Sequence, residues 1–93
     1  MTKIDIKPLT GSFAENKDVA RDIRLQQIIP AFEKGDEVTL DFAGIDSITQ
    51  SFCHALLSEL IRNYGVIVLD RLYFANCEPS VRSIIEIVVD YMQ

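Results

Sequence analysis

The residues most capable of chemistry in this chain are the adjacent pair Cys53 and His54. A thiol nucleophile needs a base within hydrogen-bond distance. Neighbouring side chains on a helix point about 100° apart, so His54 is not placed to activate Cys53 if both lie on one helix. His54 is also the only histidine, and Cys53 and Cys77 lack the close paired spacing of zinc ligands. We therefore expect no catalytic thiol and no metal site, and we expect the protein not to be an enzyme.

Three aspartates offer a second chemistry. Asp41, Asp46 and Asp70 raise the alternative of a magnesium-dependent phosphoacceptor site of the receiver-domain kind. A receiver domain is longer and uses a lysine late in its fold, whereas the last lysine here is Lys34. The simpler interpretation is that Asp46 caps a turn and Asp70 lies at a solvated strand end. The four glycines are scattered singly, so we expect no phosphate-binding loop and no cofactor.

Composition limits the remaining classes of function. The 93 residues are 48% hydrophobic, which is enough for one core and predicts a single domain over residues 1–93. The net charge is -5 and the basic residues are scattered, so nucleic acid is not an expected partner. Apolar runs fall far short of the ~20 residues that span a membrane. Two isolated cysteines and no secretion signal indicate the cytoplasm.

The first third of the chain predicts a strand followed by a helix. Apolar and charged residues alternate over about residues 3 to 7, which is typical of a strand with one buried face. Asn16 or Ser12 is suited to cap the helix that follows, which extends to Phe32. Pro30 lacks the N–H that an interior helical position requires, so we expect a kink or break there.

The middle of the chain predicts a strand, a turn and a second helix. Val38–Phe42 is rich in strand-forming residues, and we expect it to be the central strand. Apolar residues recur every three or four positions from about Thr49, which predicts an amphipathic helix. Gly65 is expected to end that helix.

The last third predicts another strand and another helix. The strand is assigned to residues 71 to 75, although the apolar run Val66–Leu69 is an alternative source for part of it. Pro79 is suited to the first position of the last helix. Strands joined by helical crossovers form parallel sheets with right-handed connections. The predicted fold is therefore α/β, in the order βαβαβα with a mostly parallel sheet.

Apolar residues of the last helix exceed what one buried face requires. Ile87, Val89 and Tyr91 fall off the predicted core face. They are either buried deeply between the sheet and its neighbours or form a contact surface between copies of the chain.

The segment from Val38 to Phe52 resembles the central strand, turn and helix start of STAS domains, the fold of anti-sigma-factor antagonists. It looks closest to the STAS-like family of unknown function, in which an aspartate–phenylalanine strand end, here Asp41–Phe42, precedes a serine–phenylalanine helix start, here Ser51–Phe52. The resemblance implies a compact sheet with helices and a role in protein partner switching. It also implies association with a histidine-kinase-like ATPase.

The same resemblance implies a role for Ser51, which matches the regulated serine of phosphorylatable STAS antagonists. Phe52 stands where the family pattern has glycine. A phosphate at Ser51 would lie at the positive end of the helix dipole. The alternative is that Thr49 or Ser47 caps the helix, with Gln50 completing a capping box, while Ser51 only occupies the first turn.

These observations predict a non-enzymatic regulatory module that binds a protein partner. The predicted binding surface is the loop and helix start that contain Asp46, Thr49, Ser51 and Phe52. The alternative function is that of a structural or oligomerisation subunit of a larger bacterial assembly, in which the last helix pairs two copies.

Overall fold

A computed structural model of the chain describes residues 1–92. In chain order its elements are β1 (Thr2–Asp5), α1 (Lys7–Thr10), β2 (Phe13–Ala14), α2 (Lys17–Ile23), a π-helical segment (Arg24–Ile28), α3 (Ile29–Glu33), β3 (Val38–Asp41), β4 (Ser47–Ile48), α4 (Gln50–Tyr64), a 3₁₀ helix (Val66–Asp70), β5 (Leu72–Ala75) and α5 (Pro79–Met92).

The main sheet has three parallel strands in the order β1-β3-β5, so the predicted central strand does lie in the middle. Thr2 pairs with Val38, and Val38 pairs with Leu72. Val38 and Leu40 are fully buried, because their side chains face the helices. The helices form one layer in which α4 packs against both α2 and α5. The structure is therefore an α/β fold with a parallel sheet, as predicted.

The long helical stretch before β3 is regular at both ends and irregular in the middle. Asn16 caps α2 by accepting hydrogen bonds from two backbone N–H groups of the first turn. The π-helical segment, Arg24–Ile28, comes just before Pro30, which lies in the first turn of α3. Since Pro30 has no N–H to donate, the regular hydrogen-bond pattern does not continue through it. The irregularity expected near Pro30 takes this form. Gly35, with φ of 86°, follows the helical stretch.

Several short elements differ from the prediction. β1 ends at Asp5 because Pro8 lies in the single-turn helix α1. β2 and β4 form a separate parallel pair in which Phe13 lies beside Ser47. The run Val66–Leu69 lies within the 3₁₀ helix, so the third strand of the main sheet comes only from Leu72–Ala75.

The core is one cluster of buried apolar side chains between the sheet and the helix layer. Phe42, Phe52 and Leu40 are among its largest fully buried members. On the opposite face of the sheet, Lys3 and Tyr73 are exposed. Among residues 1–92, no helix has the length and apolar character needed to cross a membrane.

Candidate functional site

Thr49 fixes the amino end of α4. Its Oγ1 accepts a hydrogen bond from the N–H of Phe52 at 3.0 Å, so Thr49 is the N-cap residue. Its own N–H donates to the carbonyl of Ala14 at 3.0 Å, which joins the helix start to β2. Of the two predicted caps, Thr49 and Ser47, the structure therefore selects Thr49. The predicted Ser47–Gln50 capping box does not form, because Ser47 precedes the cap position.

The first turn of α4 exposes some of its residues and buries others. Gln50 and Ser51 are exposed, whereas Phe52 is 0% exposed. The expectation that Phe52 belongs to a partner-binding surface is corrected by this burial. Successive helical residues point about 100° apart, so Phe52 turns into the core while Ser51 faces solvent. The surface at this end of the helix is formed by Gln50 and Ser51.

The loop before α4 is held by backbone hydrogen bonds on two sides. The N–H of Asp46 donates to the carbonyl of Ser12 at 2.8 Å, and the carbonyl of Asp46 accepts from the Ser80 hydroxyl at 2.9 Å. Asp46 is exposed, so its carboxylate is available at the surface. These two bonds connect the loop to the segment before β2 and to the first turn of α5.

A groove of about 170 Å³ lies between α4 and α5. We call it the α4–α5 groove, and its lining residues are Gln50, His54, Ile87, Val88 and Tyr91. Ile87 is 51% exposed and Tyr91 is 80% exposed, which is unusual for large apolar and aromatic side chains. The groove therefore joins Ile87 and Tyr91, two of the excess apolar residues of α5, to Gln50 in the first turn of α4. The residues predicted for partner binding at that helix start, Asp46, Thr49, Ser51 and Phe52, are not among its lining residues.

Val89 does not belong to that surface. It is partly buried and lines a second groove, of about 200 Å³, on the opposite flank of α5. We call this second groove the edge groove because it adjoins the outermost strand, β5. Its lining residues are Phe74, Cys77, Arg82, Ile85, Glu86, Val89 and Asp90. The expected contact set of Ile87, Val89 and Tyr91 is thus divided between two surfaces.

Asp41 forms a polar cluster at the carboxyl end of β3. Its carboxylate accepts hydrogen bonds from the Asn76 side chain at 3.0 Å and from the N–H of Ala43 at 2.9 Å. The ammonium group of Lys3 lies 3.1 Å from it. The Asn76 hydrogen bond, followed by that of Ala43, lowers the pKa of Asp41. The contacts with Lys3 and Asn76 tie β3 to β1 and to the segment after β5, and the Ala43 hydrogen bond holds the turn that follows β3, so the cluster serves the fold.

The three aspartates singled out in the sequence do not gather at one site. Asp41 lies at the carboxyl end of β3, whereas Asp70 precedes the amino end of β5. Because the two strands are parallel, these aspartates lie at opposite ends of the strands. Among residues 1–92, no three His, Cys, Asp or Glu side chains form a group suited to a metal ion. The phosphoacceptor interpretation therefore has no geometric support.

The two thiols lie in apolar surroundings. Burial raises the pKa of Cys53 to about 12 and also raises the pKa of Cys77. A thiolate is therefore scarce at Cys53 near neutral pH. Cys53 lines neither of the two grooves, and the ring of His54 lies next to Tyr91 instead.

Comparison with protein families gives a match over residues 19–82 to the STAS-like domain of unknown function (DUF4325). The chain belongs to this STAS-like family. The match confirms the resemblance inferred from Val38 to Phe52, and it extends from the first turns of α2 to the first turn of α5. Searches of curated proteins and of solved structures give no match.

The family match covers only part of the α4–α5 groove. It includes all of α4 but ends before Ile87 and Tyr91. Three of the five residues that line the α4–α5 groove, Ile87, Val88 and Tyr91, therefore lie beyond the matched region. The sequence indicated the start of α4 through the family resemblance, whereas the participation of Gln50 and His54 follows only from the packing of α5 beside α4.

Proposed function

We propose that this STAS-like domain is a non-enzymatic regulatory module that binds a protein partner through the start of α4 and the α4–α5 groove. One observation carries the proposal: the exposed side chains of Ile87 and Tyr91 lie beside the exposed Gln50 and His54. Apolar and aromatic residues next to hydrogen-bonding groups are typical of the centre of a protein interface.

Ser51 is the proposed point of regulation. It is exposed in the first turn of α4, next to Gln50 of the groove. The first N–H groups of a helix have no partners within the helix, and the helix dipole favours negative charge there. A phosphate on Ser51 would add about 1.5 to 2 negative charges beside the groove. Such a change would alter the affinity of a partner without refolding the domain.

Binding is favoured over catalysis by the state of the thiols. Cys53 is buried and its pKa is raised to about 12, so it is a poor nucleophile near neutral pH. The groove side chains that remain, including Gln50 and Tyr91, are suited to hydrogen bonding and packing. We propose a histidine-kinase-like ATPase as the partner class, which is what the family resemblance implies.

A pair of isoleucine variants tests the proposal. Ile87 is 51% exposed in the α4–α5 groove, and Ile67 is 66% exposed beyond the carboxyl end of α4. Since α4 has 15 residues, it separates the two positions by roughly 20 Å. The tagged wild-type domain and the I87S and I67S variants would be used to capture proteins from cells that naturally produce the domain, followed by quantitative mass spectrometry.

The expected result is that wild type and I67S retain the same partner, whereas I87S loses it. S51E would be included to measure the effect of negative charge at the helix start. Equal capture by I87S and wild type, or capture of no protein by any variant, would contradict the proposal.

The exposure of Ile87 and Tyr91 also favours a second candidate, a structural subunit in which α5 pairs two copies of the chain. Light scattering of the wild-type domain distinguishes the two. A dimer that I87S converts to a monomer would favour the structural role, and a monomer at high protein concentration would count against it.

A further inference from the structure

The two outer strands of the main sheet differ in their protection against further pairing. β1, with the sequence Thr-Lys-Ile-Asp, carries the charged residues Lys3 and Asp5, which discourage another strand from pairing. β5, with the sequence Leu-Tyr-Phe-Ala, carries no charge. An uncharged outer strand is a ready template for strand addition.

Alternate backbone groups of β5 point away from β3. The N–H of Val38 donates to the carbonyl of Arg71, and the N–H of Phe42 donates to the carbonyl of Ala75, both at 2.9 Å. In a parallel ladder, alternate residues direct both backbone groups to the same neighbour. Leu72 and Phe74 therefore direct their N–H and C=O groups outward. Leu72 is only 3% exposed, so the partly exposed Phe74 is the position that a further strand can reach.

The edge groove lies at the same outer strand. Phe74 contributes its side chain to the groove, with Ile85 and Val89 of α5 on the other side. Its volume of about 200 Å³ is sufficient for one apolar side chain of a bound strand. At Phe74, a bound strand would therefore find both outward backbone hydrogen-bonding groups and, next to them, an apolar groove for one of its side chains.

Charge at the rim of the edge groove favours a basic ligand. Glu86 and Asp90 are exposed there, against the single cation Arg82. The chain as a whole has a net charge of -5. A segment with lysine or arginine would be attracted, and a second copy of this acidic chain would be repelled.

We propose that β5 accepts an extended, basic segment of a partner protein as a fourth strand, with one apolar side chain seated in the edge groove. The proposal does not rest on the α4–α5 groove. Ile85 and Val89 lie two positions before Ile87 and Tyr91 in the sequence. Two positions turn an α-helix by about 200°, so the two pairs lie on opposite sides of α5. Both surfaces are therefore able to be occupied at once.

The probe is a synthetic peptide of alternating valine and threonine with a lysine at each end. Two altered peptides serve as controls: one has alternate peptide nitrogens methylated, which removes ladder donors, and one has glutamate in place of lysine. Each is added to the ¹⁵N-labelled full chain, and amide chemical shifts are followed up to a peptide concentration of about 1 mM, at which only very weak binding is missed. V89R tests the groove, and I87R is its matched control on the other flank of α5.

The lysine peptide is expected to produce saturable shifts at residues 72–76 and 85–90. V89R should weaken its binding at least about tenfold, and I87R should leave it within about twofold. The methylated and glutamate peptides should bind much more weakly. The proposal is overturned by shifts centred on His54 and Tyr91, by equal binding of the methylated peptide, by no saturable shift, or by unaltered binding to V89R. Concentration-dependent broadening of the β5 amides without peptide would assign the edge to a second copy and also overturn it.

Discussion

The imidazole ring of His54 on α4 and the phenol ring of Tyr91 on α5 lie with their centroids 5.9 Å apart and their planes tilted by 59°. The contact forms part of the wall of the α4–α5 groove, yet Tyr91 remains 80% exposed. A side chain that is held in place while most of its surface faces solvent is suited to binding more than to folding.

Replacing Tyr91 by serine is expected to leave stability almost unchanged. Because the ring is mostly exposed, the free energy of unfolding of Y91S should lie within about 0.5 kcal/mol of wild type. V88A is the matched control on the same helix, since Val88 is 2% exposed and its truncation should cost about 2 kcal/mol. Urea denaturation gives both values. A loss in Y91S equal to that in V88A would show that Tyr91 is a core residue in solution.

Replacing Thr49 by alanine removes the N-cap of α4. The variant T49A should lose about 1 kcal/mol of unfolding free energy, because the N–H of Phe52 loses its partner. S47A is the control, with an expected change within about 0.5 kcal/mol, since the cap lies at Thr49. Urea midpoints of both variants decide between the two predicted caps. The assignment would be wrong if S47A were the more destabilised.

A negative charge at Ser51 should stabilise the domain. Glutamate in the first turn of α4 interacts favourably with the helix dipole, so S51E should gain about 0.3–1 kcal/mol at low ionic strength. N63E places the same charge in the last turn of α4 and should have the opposite sign. Thermal unfolding of both variants is measured at low salt and at about 1 M salt. High salt screens the charges, so the stability changes of S51E and N63E should both become smaller there. Destabilisation by S51E would indicate that Ser51 is held in a contact that the charge disrupts.

Asp41 should make the domain sensitive to acid. Its pKa is lowered in the folded state, chiefly by the Asn76 hydrogen bond. The stability that the ionised carboxylate contributes is therefore complete at pH values above the ordinary carboxyl pKa. It is lost as the pH falls through the lower folded-state pKa, which places the loss below about pH 4. D41N should lower the free energy of unfolding by about 1–3 kcal/mol near neutral pH. It should also weaken the fall in stability at acid pH, which we call the acid limb.

The control for Asp41 is Asp5, which is exposed and lies 3.7 Å from Lys3. D5N should remain within about 0.5 kcal/mol of wild type. Urea midpoints measured between about pH 2 and pH 7 test both variants. A D41N variant with the same acid limb as wild type would assign that limb to other carboxylates.

The two cysteines should react with a thiol reagent at different rates. Cys53 is 1% exposed and its pKa is raised to about 12, whereas Cys77 is only partly buried. Near pH 8, labelling of the native protein should therefore modify Cys77 first, although its own raised pKa slows the reaction. The variant C77S should react only in denaturing guanidinium chloride. Rapid labelling of native C77S would contradict the burial of Cys53.

The regular elements of this fold were predictable from sequence because each carries a periodic signal. The strand at Val38–Asp41 is rich in β-forming residues, and α4 repeats its apolar residues every three or four positions. The resemblance of the segment from Val38 to Phe52 to the central strand, turn and helix start of STAS domains agreed with the prediction that this strand is central. Glycine at Gly35 and Gly65 also marked helix ends correctly, because both adopt positive φ.

Other features carry no local signal. β2 and β4 have two residues each, too few to show a period. Val66–Leu69 is apolar throughout, and such a run fits a strand or a helix equally well. The burial of Phe52 and the joining of His54 with Tyr91 depend on which face of α4 meets the sheet and how α5 crosses it. Tertiary packing decides both, so neither is readable from the residues alone.

The strand pairings join segments that are more than thirty residues apart, as between Thr2 and Val38 and between Val38 and Leu72. Closing such long loops takes entropy from the chain before any ladder forms, so refolding should be limited by strand docking while the helices form earlier. During synthesis, β3 is translated well before β5 leaves the ribosome. The nascent chain therefore passes through a stage in which its most buried strand, β3, lacks one neighbour, and at that stage it is a substrate for chaperones and prone to aggregation.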